Sequence, residues 1–60
     1  MRFKYEFTKK NGVTRILHFL AADEEDANQK ATECLLANRD KYTDWTPLFH
    51  YEDGKYVEEY

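Results

Sequence analysis

Residues 1–20 read MRFKYEFTKKNGVTRILHFL, and the fold turns on how this stretch pairs with itself. Met1, Phe3, Tyr5 and Phe7 alternate with Arg2, Lys4, Glu6 and Thr8, the period of two that gives a strand one apolar face. Asn11-Gly12 follows, a pair that tolerates positive φ and closes hairpins. Two registers are open. A two-residue type I′ turn pairs Phe7 with Ile16, Tyr5 with His18 and Phe3 with Leu20, leaving Leu17 and Phe19 on the opposite face. A three-residue loop ending in a glycine bulge pairs Phe7 with Arg15, Tyr5 with Leu17 and Phe3 with Phe19, and turns Ile16 and Leu20 outward. Either register leaves apolar side chains on the second face, where a sheet facing water should be polar.

Beyond the hairpin, Asp23 is placed to cap a helix, with Glu24, Glu25 and Asp26 in the first turn, where carboxylates meet free N–H groups. Ala27, Ala31, Cys34, Leu35, Asn38 and Tyr42 share one helical stripe, predicted to pack on the sheet, and Asp26 stands four residues before Lys30. Leu36 lies off the stripe and is predicted to point outward. The helix is expected to end near Lys41, before a connector of Thr43, Asp44, Trp45, Thr46 and Pro47. Leu48–Glu52 and Lys55–Glu59 then read as strands joined by Asp53-Gly54, a second hairpin turn. The expected fold is α+β with order ββαββ, a small antiparallel sheet of two hairpins with one helix packed on one face.

Sixty residues hold a single domain, 1–60, with a small core. Cores of this size supply no more than about 3 to 5 kcal/mol of net stability, so reinforcement is worth seeking. Cys34 is the only cysteine, which excludes an internal disulfide and leaves self-association. A hydrophobic content of 42% with 17% aromatic residues argues against disorder, although 35% of residues are charged and mean hydropathy is −0.94. No apolar run approaches the roughly 20 residues of a membrane span, and the chain begins with strand residues rather than a leader. With the lone cysteine, this predicts a soluble cytoplasmic protein without membrane contact.

The chain contains no serine, which excludes a serine nucleophile, and its two glycines are both explained by turns, which excludes a phosphate-cradling loop. Cys34 with His18 or His50 is the one set from which a nucleophile and base, or a metal site, could be drawn. Yet Cys34 falls on the core stripe, and the three residues lack the paired spacing of zinc sites. His18 and His50 read as partly buried, hydrogen-bonded strand residues. The carboxylates from Asp23 to Asp26 are explained by helix-start electrostatics. No enzyme activity, catalytic residue, cofactor or metal is predicted.

Charge is divided unevenly. Residues 1–20 carry five cations against Glu6, net +4, while residues 21–60 carry four cations against eleven carboxylates, net −7. A basic hairpin bearing Arg2, Lys4, Lys9, Lys10 and Arg15 beside Phe3, Tyr5 and Phe7 supports an alternative reading as a nucleic-acid binder. A total charge of −3 and pI near 5.2 oppose it, and on the first strand rings and charges project from opposite faces. The acidic half suits a protein interface, since Asp44, Glu52, Asp53, Glu58 and Glu59 can frame Tyr56 and Tyr60, although such a surface also serves solubility. The preferred expectation is a non-enzymatic protein–protein interaction module, a homodimer that binds and inhibits another protein. Its predicted partner-binding residues are Leu17, Phe19, Leu36, Glu52, Asp53, Tyr56, Glu58, Glu59 and Tyr60. In general style the chain resembles accessory proteins of phages and other mobile elements, which act on host proteins by occupying them.

Overall fold

The computed structural model describes residues 1–59, and Tyr60 lies outside them. Among the described residues the chain forms β1 (Arg2–Lys9), β2 (Thr14–Leu20), α1 (Glu24–Ala37), β3 (Tyr42–Pro47), β4 (Phe49–Glu52) and β5 (Lys55–Glu58). The fold class is the expected α+β one, with a fifth strand and two antiparallel sheets, one in the order β2-β1-β3 and one pairing β4 with β5.

The first hairpin adopts the bulged register, with Phe3 opposite Phe19, Tyr5 opposite Leu17 and Phe7 opposite Arg15. The Gly12 amide donates to the Lys9 carbonyl, the Lys9 amide donates to the Val13 carbonyl, and Gly12 takes φ +86°. Asn11 holds the loop by accepting the Val13 N–H on its side-chain oxygen at 3.0 Å. Burial explains the choice: this register puts Leu17 and Phe19 beside Phe3, Tyr5 and Phe7 and leaves His18 in water. The alternative would set the imidazole against Tyr5 in the core, at a desolvation cost.

Asp23 caps α1 by accepting the Asp26 N–H at 2.9 Å. Ala27 and Ala31 are fully buried and let the helix approach the rings of β1, while Cys34 and Leu35 pack half-buried on the same core. The helix ends four residues earlier than expected. Asn38 is its cap, donating its backbone N–H to the Cys34 and Leu35 carbonyls and its side-chain N–H to Cys34 again at 2.8 Å. A side chain that returns to the last turn competes with further helix and stops it.

That early stop frees Tyr42–Pro47, expected as a connector, to pair with β1 from Lys9 to Tyr5. A β-bulge lies between the Thr8–Asp44 and Lys9–Tyr42 pairs, with Thr43 as the extra residue. Tyr42 and Trp45 therefore both face the core although an even spacing would be needed in a regular strand. Beyond Pro47 the chain stays on β1 for one more bond, Leu48 N–H to the Lys4 carbonyl at 3.0 Å, and then enters the second hairpin. Asp53 (φ +50°) and Gly54 (φ +75°) make its two-residue turn as expected. Phe49 and Tyr56 set their rings edge-on against Phe3 at 5.4 and 5.5 Å, extending the aromatic core over the Phe3 half of β1.

Candidate functional site

The sheet leaves one strand open. Among the described residues β2 has β1 on one side and no strand on the other. Its ends fix which groups face which way: the Val13 carbonyl and the Ala21 amide bond towards β1, so Arg15, Leu17 and Phe19 do the same. The amides and carbonyls of Thr14, Ile16, His18 and Leu20 then project from the free edge. One of these is already taken, because Lys30 Nζ, itself 3.4 Å from Asp26, donates to the Leu20 carbonyl at 2.6 Å.

The side chains of the same four residues stand on the face of the sheet away from α1, with Ile16 43% and Leu20 71% exposed. Val13, at the mouth of the turn, is 53% exposed. The apolar surplus expected on the second face is thus carried by Ile16 and Leu20. Leu17 and Phe19, expected there as partner-binding residues, are placed on the core side: both are half-buried, and Phe19 lies 5.7 Å from Tyr5 and 5.9 Å from Phe7, ring to ring.

The other edge of the three-stranded sheet is blunted. Pro47 has no N–H to offer, Asp44 takes the Trp45 N–H on its own carboxylate at 2.8 Å, and the bulge at Thr43 breaks the ladder.

Glu52, Glu58 and Glu59 of the second hairpin are not free-standing. Tyr56, expected as a partner-binding ring, is half-buried, and its phenol oxygen accepts the Lys4 backbone N–H at 3.2 Å while donating to Glu58 Oε1 at 3.3 Å. It caps β1 where β3 has ended. Burial raises its phenol pKa, opposed by the Lys4 N–H. His50 faces two carboxylates, Glu52 at 3.0 Å from Nε2 and Glu59 at 3.5 Å from Nδ1, and the Glu59 carbonyl accepts Lys4 Nζ at 3.0 Å. Glu52, Asp53 and Glu59 are exposed, Glu58 is half-buried, and Leu36 stands 58% exposed on α1, away from this hairpin's turn.

Of the basic residues, Lys9, Lys10 and Arg15 come together with Asn11, Lys41 and Tyr42 around an open hollow of about 420 Å³ whose lining holds no carboxylate. Lys41 joins them because the Lys10 amide donates to the Lys41 carbonyl at 3.3 Å, a long-range contact that no local pattern announces. Cys34 packs on the core side of the sheet and His18 stands on the other face, so the sheet separates them. Among the described residues no group of three or more acidic, histidine or cysteine side chains is placed to hold a metal ion, and no helix is long and apolar enough to cross a membrane. Comparison with protein-family models, curated proteins and solved structures finds no match.

Proposed function

We propose that the chain is a small non-enzymatic protein-interaction module that acts as a homodimer and inhibits a partner protein by occupying it. The observation that supports this most is the open β2 strand, where unpaired backbone groups lie beside exposed Ile16, Leu20 and Val13. Such an edge is a template for another chain unless a protein blunts it, and β3 shows the blunting that β2 lacks apart from Lys30. Light scattering at micromolar concentration tests the homodimer. Twice the 7.3 kDa chain mass is expected, and a monomer unchanged as concentration rises overturns it.

The basic hollow favours a second reading, in which Lys9, Lys10, Arg15 and Lys41 hold the phosphate backbone of a nucleic acid. Much of the acidic charge lies on the helix start and the second hairpin, on the opposite half of β1 from the hollow. A gel shift at low salt that disappears in a Lys9→Glu, Lys10→Glu variant supports this reading, and no shift at low salt removes it.

A further inference from the structure

We infer that the occupant of the β2 edge is β2 of a second copy, paired antiparallel about a two-fold axis at Ile16. The inference rests on the homodimer reading above and says which surface makes the dimer and in which alignment.

Lys30 decides the register. With its ammonium on the Leu20 carbonyl, the outward groups that remain wholly free among the described residues are those of Thr14, Ile16 and His18. An antiparallel pair that uses these three and no others places Ile16 against the partner's Ile16 and Thr14 against the partner's His18. Each such residue pair exchanges two bonds, so the edge gains roughly six backbone hydrogen bonds. The two three-stranded sheets become one continuous sheet, and the exposed edge disappears from both copies.

Side chains agree with this alignment. On the outer face the two Ile16 side chains, each 43% exposed in the single chain, meet at the axis. On the core side Arg15 comes beside the partner's Leu17, and Val13 beside the partner's Phe19. No charge stands opposite its own copy, a juxtaposition that destabilises sheets.

Long-range charge selects a second copy over an unrelated strand. The half of the chain around the first turn holds Lys9, Lys10, Arg15, Arg39 and Lys41 against Glu33, Asp40 and Asp44, with Glu6 at the middle of β1. The half that holds Phe3, the helix start and the second hairpin carries eight carboxylates, Asp23 to Asp26 with Glu52, Asp53, Glu58 and Glu59, against Arg2, Lys4, Lys30 and Lys55. Antiparallel pairing about Ile16 sets Lys10 of one copy beside Ala22 and Asp23 of the other, so each basic turn meets an acidic helix start twice over. A parallel arrangement would set like against like.

The test uses the whole chain. Ile16→Pro removes an outward N–H and leaves the bonds of β2 to β1 in place, which edge strands tolerate. It is expected to weaken the dimer about tenfold or more, with an unchanged far-ultraviolet circular dichroism spectrum. In a Cys34→Ala background, Ile16→Cys is expected to form a covalent dimer on mild oxidation. His18→Cys is expected not to, because the two His18 positions sit roughly 13 Å apart in this register. A dimer that survives Ile16→Pro and does not cross-link through Ile16→Cys overturns this placement while the homodimer reading stands. Cross-linking through His18→Cys in preference to Ile16→Cys overturns the register. A wild-type chain that stays monomeric overturns both readings together. Should Ile16→Pro unfold the chain, the cross-linking pair decides.

Discussion

Tyr5 is fully buried, yet it ends in a hydroxyl. Its ring takes Trp45, Phe49 and Phe19 edge-on at 5.2, 5.5 and 5.7 Å, and its phenol donates to Asn28 Oδ1 at 2.6 Å. Burial first, and the Glu24 carboxylate second, push the phenol pKa from 10.0 up to about 12. The folded chain therefore holds this proton more tightly than the unfolded one. Below pH 10 the group is neutral in both states and its contribution is fully present; as pH rises towards 12 the unfolded state ionises first and stability falls. Melting temperature is expected to drop across that window, and Tyr5→Phe to show a shallower drop. At neutral pH the same variant is expected to cost about 1 kcal/mol, read from its denaturant midpoint. Equal steepness in both proteins would assign the alkaline loss to other groups. That Tyr5 belongs to the core was legible from strand alternation; that Asn28 receives its hydroxyl was not, since a helix residue and a strand residue 23 positions apart meet only through packing.

At the scale of elements, α1 lies close to the sheet because Ala27 and Ala31 present no bulk, and both are fully buried. Ala31→Leu is expected to destabilise the fold by about 1 to 3 kcal/mol through overpacking, measured by urea denaturation. The helix start, both turns and the alternation of β1 were legible because each depends on residues close in sequence. β3 was not. Pro47, Asp44 and the two threonines read as a connector, and the bulge at Thr43 spoils the period that would have marked Tyr42 and Trp45 as partners on one face. Removing Thr43 would leave Tyr42, Trp45 and Pro47 facing inward in a regular ladder with Lys9, Phe7 and Tyr5. Deletion of Thr43 alone is thus expected to keep a cooperative fold, whereas deletion of Phe7, which removes one of the three fully buried rings of β1 and turns Thr8 into its place on the core face, is expected to abolish it; thermal unfolding of the two variants checks the contrast. The first-hairpin register lay between these cases, since the sequence admits two turns and only the burial of His18 against Leu17 and Phe19 separates them.

Over the whole molecule, the sequence shows a basic first third and an acidic remainder, but the folded chain divides its charge differently. Lys41 and Arg39 come back to the first turn at the end of α1, while Arg2 lies with the acidic half. This regrouping depends on the helix running back across the sheet towards the first turn, which composition does not contain. β1, which spans both halves, extends for about 25 Å, and the molecule measures 37 Å along its longest dimension. Charge fields in physiological salt decay over about 8 Å, so the two regions act separately rather than cancelling. The consequence is one of rate. A body with separated charge is turned by its partner's field before contact, and two such bodies approach side by side and antiparallel, the basic end of each beside the acidic end of the other. Stopped-flow association at low salt is expected to be about tenfold or more faster than at high salt, with dissociation nearly constant. In the proposed dimer, charge then governs how soon two copies meet, and the β2 backbone how long they remain together.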